Sequence, residues 1–223
     1  MSDSNKVADL KEKLKQALNS TFKVISDDFK LNDKFEKTKN SKKLDHFELD
    51  NLNSKNDFIK ARAESDSSAL KRKFSDDDIF KKNLPSNSSC KSLYTIAEKI
   101  RYESLGSKML KGIEKNFKDN YNQMISSKRK DQLKTKEDVL VAEAFELYML
   151  KNFHNLELNS LTTKMLSFWE NDFDSSINKH IKFLKENLEN QYNYSSKFSE
   201  ILAEMDIFQS EEKDENKEDT QED

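Results

Sequence analysis

Residues 97–116 read Ala-Glu-Lys-Ile-Arg-Tyr-Glu-Ser-Leu-Gly-Ser-Lys-Met-Leu-Lys-Gly-Ile-Glu-Lys-Asn and hold the only two glycines of a 223-residue chain. Leu93, Ile96, Ala97 and Ile100 enter this stretch at helical spacing. Met109, Leu110, Ile113, Phe117, Tyr121 and Met124 leave it as the buried side of a second helix. Gly106 is read as the left-handed residue that ends the first helix, with Ser107 capping the next. Gly112 then lies inside the second helix, where it costs about 1 kcal/mol relative to alanine and suggests a close approach of another backbone. With a single proline besides, the chain lacks the turn punctuation that a sheet-rich fold needs every ~8–12 residues. The fold class is mainly α, a multi-helix globular domain.

Working outward, Val7, Leu10, Leu14, Ala17, Leu18, Phe22 and Ile25 mark one helix face near the amino terminus. Residues 26–56 keep no period and are read as a long loop with room for a short hairpin near residues 29–36. Asn56 or Asp57 caps a helix running to about Phe74, and the acids Asp76, Asp77 and Asp78 open a short one stopped by Leu84-Pro85. Thr135 and Asp138 resemble a capping box ahead of the apolar run Val139 to Leu150, read as the central helix. Three further amphipathic helices follow, centred on Leu161–Trp169, Ile177–Leu188 and Phe198–Met205. Val141, Phe145, Tyr148, Leu166, Trp169, Leu184 and Leu202 are expected to share one core.

Hydrophobic residues make up 34% of the chain and charged residues 36%, so the core must come from amphipathic helices. The single cysteine, Cys90, excludes an internal disulfide framework, and residues 1–15 alternate charges where a signal peptide would be apolar. No run approaches the ~18 apolar residues of a membrane span, so the expected location is cytoplasmic. Charge is uneven. Between Ser210 and Asp223 eight acids stand against Lys213 and Lys217, which leaves −6 in the tail; the chain's net −3 then leaves +3 over residues 1–209. An apolar-free run of like charge does not offset its ordering entropy. The expected division is a helical domain over 1–209 and a disordered acidic tail over 210–223.

Sites for chemistry are sparse. A phosphate cradle needs glycines in the pattern G-x-x-x-x-G-K-[ST] or G-x-G-x-x-G, which Gly106 and Gly112 do not form. His154-x-x-Glu157 would set two metal ligands one turn apart, but no second pair accompanies it. Cys90 sits in a Ser-Asn-Ser-Ser-Cys-Lys turn with no histidine near it in sequence. Lys128-Arg129-Lys130, with Lys134 and Lys136, lacks the interleaved aromatics of a single-strand nucleic-acid site. The expectation is therefore no catalytic, cofactor-binding or metal residue in this chain, and no nucleic-acid or membrane partner.

Ala97, Arg101, Glu103, Leu105-Gly106, Gly112-Ile113 and Asn116 resemble a motif of the CobT subunit of aerobic, ATP-dependent cobaltochelatase: A-x-x-x-R-x-E-x-L-G and, downstream, G-[VI]-x-x-N. Upstream, Arg62, Asp66 and Ala69-Leu70 resemble that family's R-G-x-x-D-x-x-A-L, with Ala63 in place of its glycine. Phe74, Ser75 and Phe80 stand where many relatives carry histidine. The resemblance implies the amino-terminal portion of a non-catalytic subunit, a scaffold between an AAA+ ATPase and the large metal-inserting subunit. It also implies that the chain ends inside the acidic linker that leads to a von Willebrand A domain. ATP, magnesium and cobalt would then be handled by partner subunits or that domain, whose D-x-S-x-S pattern fails here at Asp66-Ser67-Ser68 and Asp174-Ser175-Ser176. Arg62, Asp66, Arg101 and Glu103 are the candidate interface or helix-bridging residues, and Gly106 and Gly112 the structural ones. The alternative reading is a free-standing helical interaction module no longer tied to corrin synthesis.

Overall fold

A computed structural model describes residues 3–28, 54–127, 133 and 135–205. Its elements are α1 (Asp3–Ser26), α2 (Lys55–Phe74), α3 (Asp77–Lys82), α4 (Ser88–Met109), α5 (Lys111–Ser127), α6 (Val141–Phe153), α7 (Ser160–Ser167), α8 (Glu170–Ile177), α9 (Ile181–Glu186) and α10 (Gln191–Ala203). Short 3-10 turns lie at Lys136–Asp138 and Asn178–His180. Among the described residues there is helix and no strand, as the turn-poor composition requires. The candidate hairpin at 29–36, most of the long loop, the Lys128–Lys130 cluster and the acidic tail lie outside the described residues.

Helix α4 is the hub. It packs against α2, α5, α6 and α10, whereas α6, expected to be central, touches α4, α7 and α8. The reason is that α4 is buried on more than one face. Leu93, Ala97 and Ile100 are fully buried, and so are Arg101 and Glu103 on other sides of the same helix. Phe145, Tyr148, Leu166, Leu184 and Leu202 join one core, with Val141 and Trp169 packed at its margin. Phe145 sits between Phe173 of α8 and Phe198 of α10, with ring centroids 5.7 and 5.8 Å away.

The helix ends differ in detail from the sequence expectations. Ser54, not Asn56 or Asp57, caps α2, and Asp57 completes the capping box by accepting the Ser54 N–H at 2.8 Å. Thr135 and Asp138 do form a box, but around the 3-10 turn rather than α6. Ile177–Leu188 is not one helix, because the Asn178–His180 turn divides α8 from α9. Left-handed backbone falls at Asp27 (φ 55) and Asn155 (φ 50), which close α1 and α6. Because α6 ends at Phe153, His154 and Glu157 do not lie one helical turn apart.

Gly106 has no positive φ, and α4 runs through it to Met109. Its missing side chain instead makes room for Leu70 of α2, since an added Cβ would lie 2.3 Å from Leu70 Cδ1. Ser107 is consequently inside α4 and caps nothing. Gly112, expected to mark a close approach, meets nothing within 4 Å among the described residues. Gly106 thus has the close approach that local pattern assigned to Gly112, and neither glycine has left-handed backbone. The turn between α4 and α5 also leaves Met109 and Leu110 exposed, at 40% and 47%, although their spacing placed them on the buried side.

Candidate functional site

The candidate residues separate into a buried group behind α4 and a surface group between α1, α2 and α5. Arg101 is 0% exposed. Its Nε donates to Glu98 Oε2 at 3.1 Å, its Nη1 to the Leu188 carbonyl at 3.0 Å, and its Nη2 to the Phe74 carbonyl at 2.7 Å and Ser75 Oγ at 3.2 Å. One guanidinium thus holds the end of α2 and the α9–α10 connection onto α4. The Glu98 carboxylate that balances it also accepts from Ser195 Oγ at 2.5 Å and Gln191 Nε2 at 3.4 Å. Buried charge is tolerated here because almost every donor has an acceptor. In this arrangement Arg101 bridges helices.

Glu103, on the same helix, is also buried. Ser67 Oγ of α2 donates to its Oε1 at 2.6 Å, and the Tyr121 hydroxyl of α5 donates to Oε2. Burial raises the Glu103 pKa, opposed by Lys99 and these hydrogen bonds. His154 lies close by, with its ring 5.9 Å from that of Tyr121 and its Nε2 3.4 Å from Ser104 Oγ. Burial, reinforced by Lys99, lowers its pKa to about 4, so the imidazole is neutral at pH 7. Cys90, read as a turn residue, is in the first turn of α4 and buried. Among the described residues no three His, Cys, Asp or Glu side chains gather as a metal site.

The surface group is assembled by helical periodicity. Phe58, Arg62 and Asp66 follow at four-residue intervals on α2, as do Gly112 and Asn116 on α5, so each set shares a face. Asn116 Nδ2 donates to Asp66 Oδ2 at 2.6 Å and ties the two faces together. Asp66 is 2% exposed. Burial raises its pKa, while the Asn116 hydrogen bond and the Arg62 charge act against that rise. Ser20, Thr21, Val24 and Ile25 of α1 close the far side and leave a cleft of ≈ 410 Å³ over Arg62, Asp66, Gly112 and Asn116.

Of the six residues singled out in the sequence, Arg62, Asp66 and Gly112 therefore meet at one cleft, while Arg101, Glu103 and Gly106 serve contacts inside the fold. Asn116 was missed as a site residue. Its position four after Gly112 was the available signal. Val24 and Leu110 were also missed as cleft walls, and only the packing of α1 and the turn before α5 place them there.

Comparison with known proteins supplies a family. A family profile described as "Cobalamin biosynthesis protein CobT" matches residues 8–223. No curated protein and no solved structure matches the chain. The profile spans the α1–α2–α5 cleft, the buried α4 network and the remaining helices together, and on that match the chain belongs to the CobT family of cobalamin biosynthesis proteins.

Proposed function

We propose that the chain acts as a non-catalytic subunit of an ATP-dependent cobaltochelatase, the assembly that inserts cobalt into a corrin ring. In this role it is a scaffold that connects an AAA+ ATPase to the large metal-inserting subunit. Cobalt is cargo and substrate of the assembly, and ATP and magnesium are handled by partner subunits. The observation that carries this reading is the CobT family match over residues 8–223. The division of the motif supports it: Arg101 and Glu103 lock helices from within, while Arg62, Asp66, Gly112 and Asn116 open to a cleft. A helical body tied together from within, with an outward cleft, suits a part that transmits force or position between partners.

Co-purification tests it. The full chain, mixed with the AAA+ and large chelatase subunits of the same organism in the presence of ATP, is expected to elute as one complex. Separate elution under all nucleotide conditions would leave the free-standing interaction module as the better reading.

A further inference from the structure

Two hollows adjoin along the seam between α2 and α5. The cleft of ≈ 410 Å³ continues into a second of ≈ 480 Å³, and both are lined by Arg62 and Asn116. From Leu110, just before α5, the seam follows that helix to Asn122, which at 1.5 Å per residue is about 18 Å. Three turns of another helix cover that length.

Its lining is apolar and cationic at once. Val24, Leu110 and Phe58 are 60%, 47% and 42% exposed along it. The charges are Lys55, Arg62 and Lys115 against Asp66 and Asp119. Asp119 is taken by Lys115 at 2.5 Å, and Asp66 is buried under Asn116. Lys55 and Arg62, the latter partly offset by Asp66 beneath it, are the cations that face solvent. Gly112 adds an independent observation. A glycine within a helix costs about 1 kcal/mol, and among the described residues nothing approaches the place of its missing Cβ. Among the described residues, the space it vacates belongs to the cleft.

We propose that this seam is a docking groove for a partner helix whose apolar stripe is flanked by carboxylates. The stripe lies on Val24, Leu110 and Phe58 and passes closely over Gly112, and the carboxylates face Arg62 and Lys55. The proposal rests on the reading of the chain as a subunit of a larger assembly. The chain's own residues 210–223 contain no apolar side chain, so they complement the cations and not the walls. Residues 44–52, Leu-Asp-His-Phe-Glu-Leu-Asp-Asn-Leu, carry both kinds and are the occupant that the test must distinguish.

Binding of the full chain to each purified chelatase subunit, immobilised in turn, is measured at low and high salt for wild type, Arg62→Glu and Gly112→Leu. Each variant is expected to weaken binding to one subunit by about tenfold or more, the range of an interface anchor. Arg62→Glu should also flatten the salt dependence. Carbodiimide cross-linking of the wild-type complex is expected to join the Lys55 amine to Asp or Glu of that subunit. Wild-type affinity in both variants overturns the groove while leaving the assembly intact. Cross-links from Lys55 to Asp45, Glu48 or Asp50 of the same chain overturn it in favour of an internal occupant. Failure of the wild-type chain to bind either subunit removes the subunit reading and the groove with it. Thermal unfolding of both variants is measured alongside; should Gly112→Leu not fold, the exposed Arg62→Glu decides alone.

Discussion

Arg101 is held by a carboxylate and two main-chain carbonyls from distant segments, so its loss strands several buried groups at once. Arg101→Ala is expected to cost about 3–5 kcal/mol in denaturant unfolding, the range for breaking one side of a buried pair. Unchanged stability would refute the bridge. The glycines should respond in opposite directions. Gly106→Ala drives a methyl into Leu70 and should destabilise by about 1–3 kcal/mol, less than additively with Leu70→Val. Gly112→Ala meets open space and should stabilise by up to about 1 kcal/mol. His154 has a folded pKa of about 4 against 6.5 unfolded. The unfolded state therefore binds the proton first, and stability falls as pH drops from 6.5 to about 4, by on the order of 3 kcal/mol. Glu103 works the other way: its raised pKa favours the folded state at acid pH, and that contribution is lost as pH rises above 4.5. Subtracting the pH–stability curve of His154→Gln from wild type isolates the histidine and should show loss toward acid.

At the scale of elements, α4 and α3 are opposites. Helix α4 is covered by four neighbours, whereas α3 has no buried residue and is held by its Asp76 cap, by contacts with α10 and by Phe80 against Tyr94 of α4. Native-state hydrogen exchange should find the slowest amides in the middle of α4 and fast exchange throughout α3; equal protection would contradict this packing hierarchy. Helix α2 has a different vulnerability, because its start depends on a reciprocal pair between Ser54 and Asp57. Ser54→Ala should cost about 0.5–2 kcal/mol, and it should loosen the Lys55–Arg62 turns that border the groove before the rest of the fold.

Across the whole molecule, polar ties join segments far apart in the chain. Ser195 reaches Glu98, Gln191 brackets the main chain of Asp76 at 2.6 and 3.2 Å, and Arg101 holds Leu188. The carboxy-terminal helix therefore completes the environment of α4 instead of sitting on it as an appendage. A chain truncated after Glu186 should lose its cooperative thermal transition, because it would strip Glu98 of Ser195 and Gln191 and Arg101 of the Leu188 carbonyl. A truncated protein that melts sharply near the intact one would show that α10 is dispensable. No described helix is long and apolar enough to cross a membrane.

Helical class, the apolar faces of α4 and α10, the Ile113–Tyr121 face of α5 and the pairing of Thr135 with Asp138 were legible in the sequence, because each depends on residues within a turn or two of one another; that the box caps a 3-10 turn was not. The CobT resemblance was legible too, since a motif needs only order and spacing. The roles of Gly106 and Gly112 were not: a glycine's local pattern does not say whether Leu70 or open space faces it, and that is fixed by how α2 crosses α4. For the same reason spacing could not separate Arg62 at the surface from Arg101 at the centre, as both are arginines on helices near an acid. Exposure is a property of neighbours contributed by distant parts of the chain. Only the packing of α1, α2 and α5 together turns Val24, Arg62, Leu110 and Asn116 into one cleft.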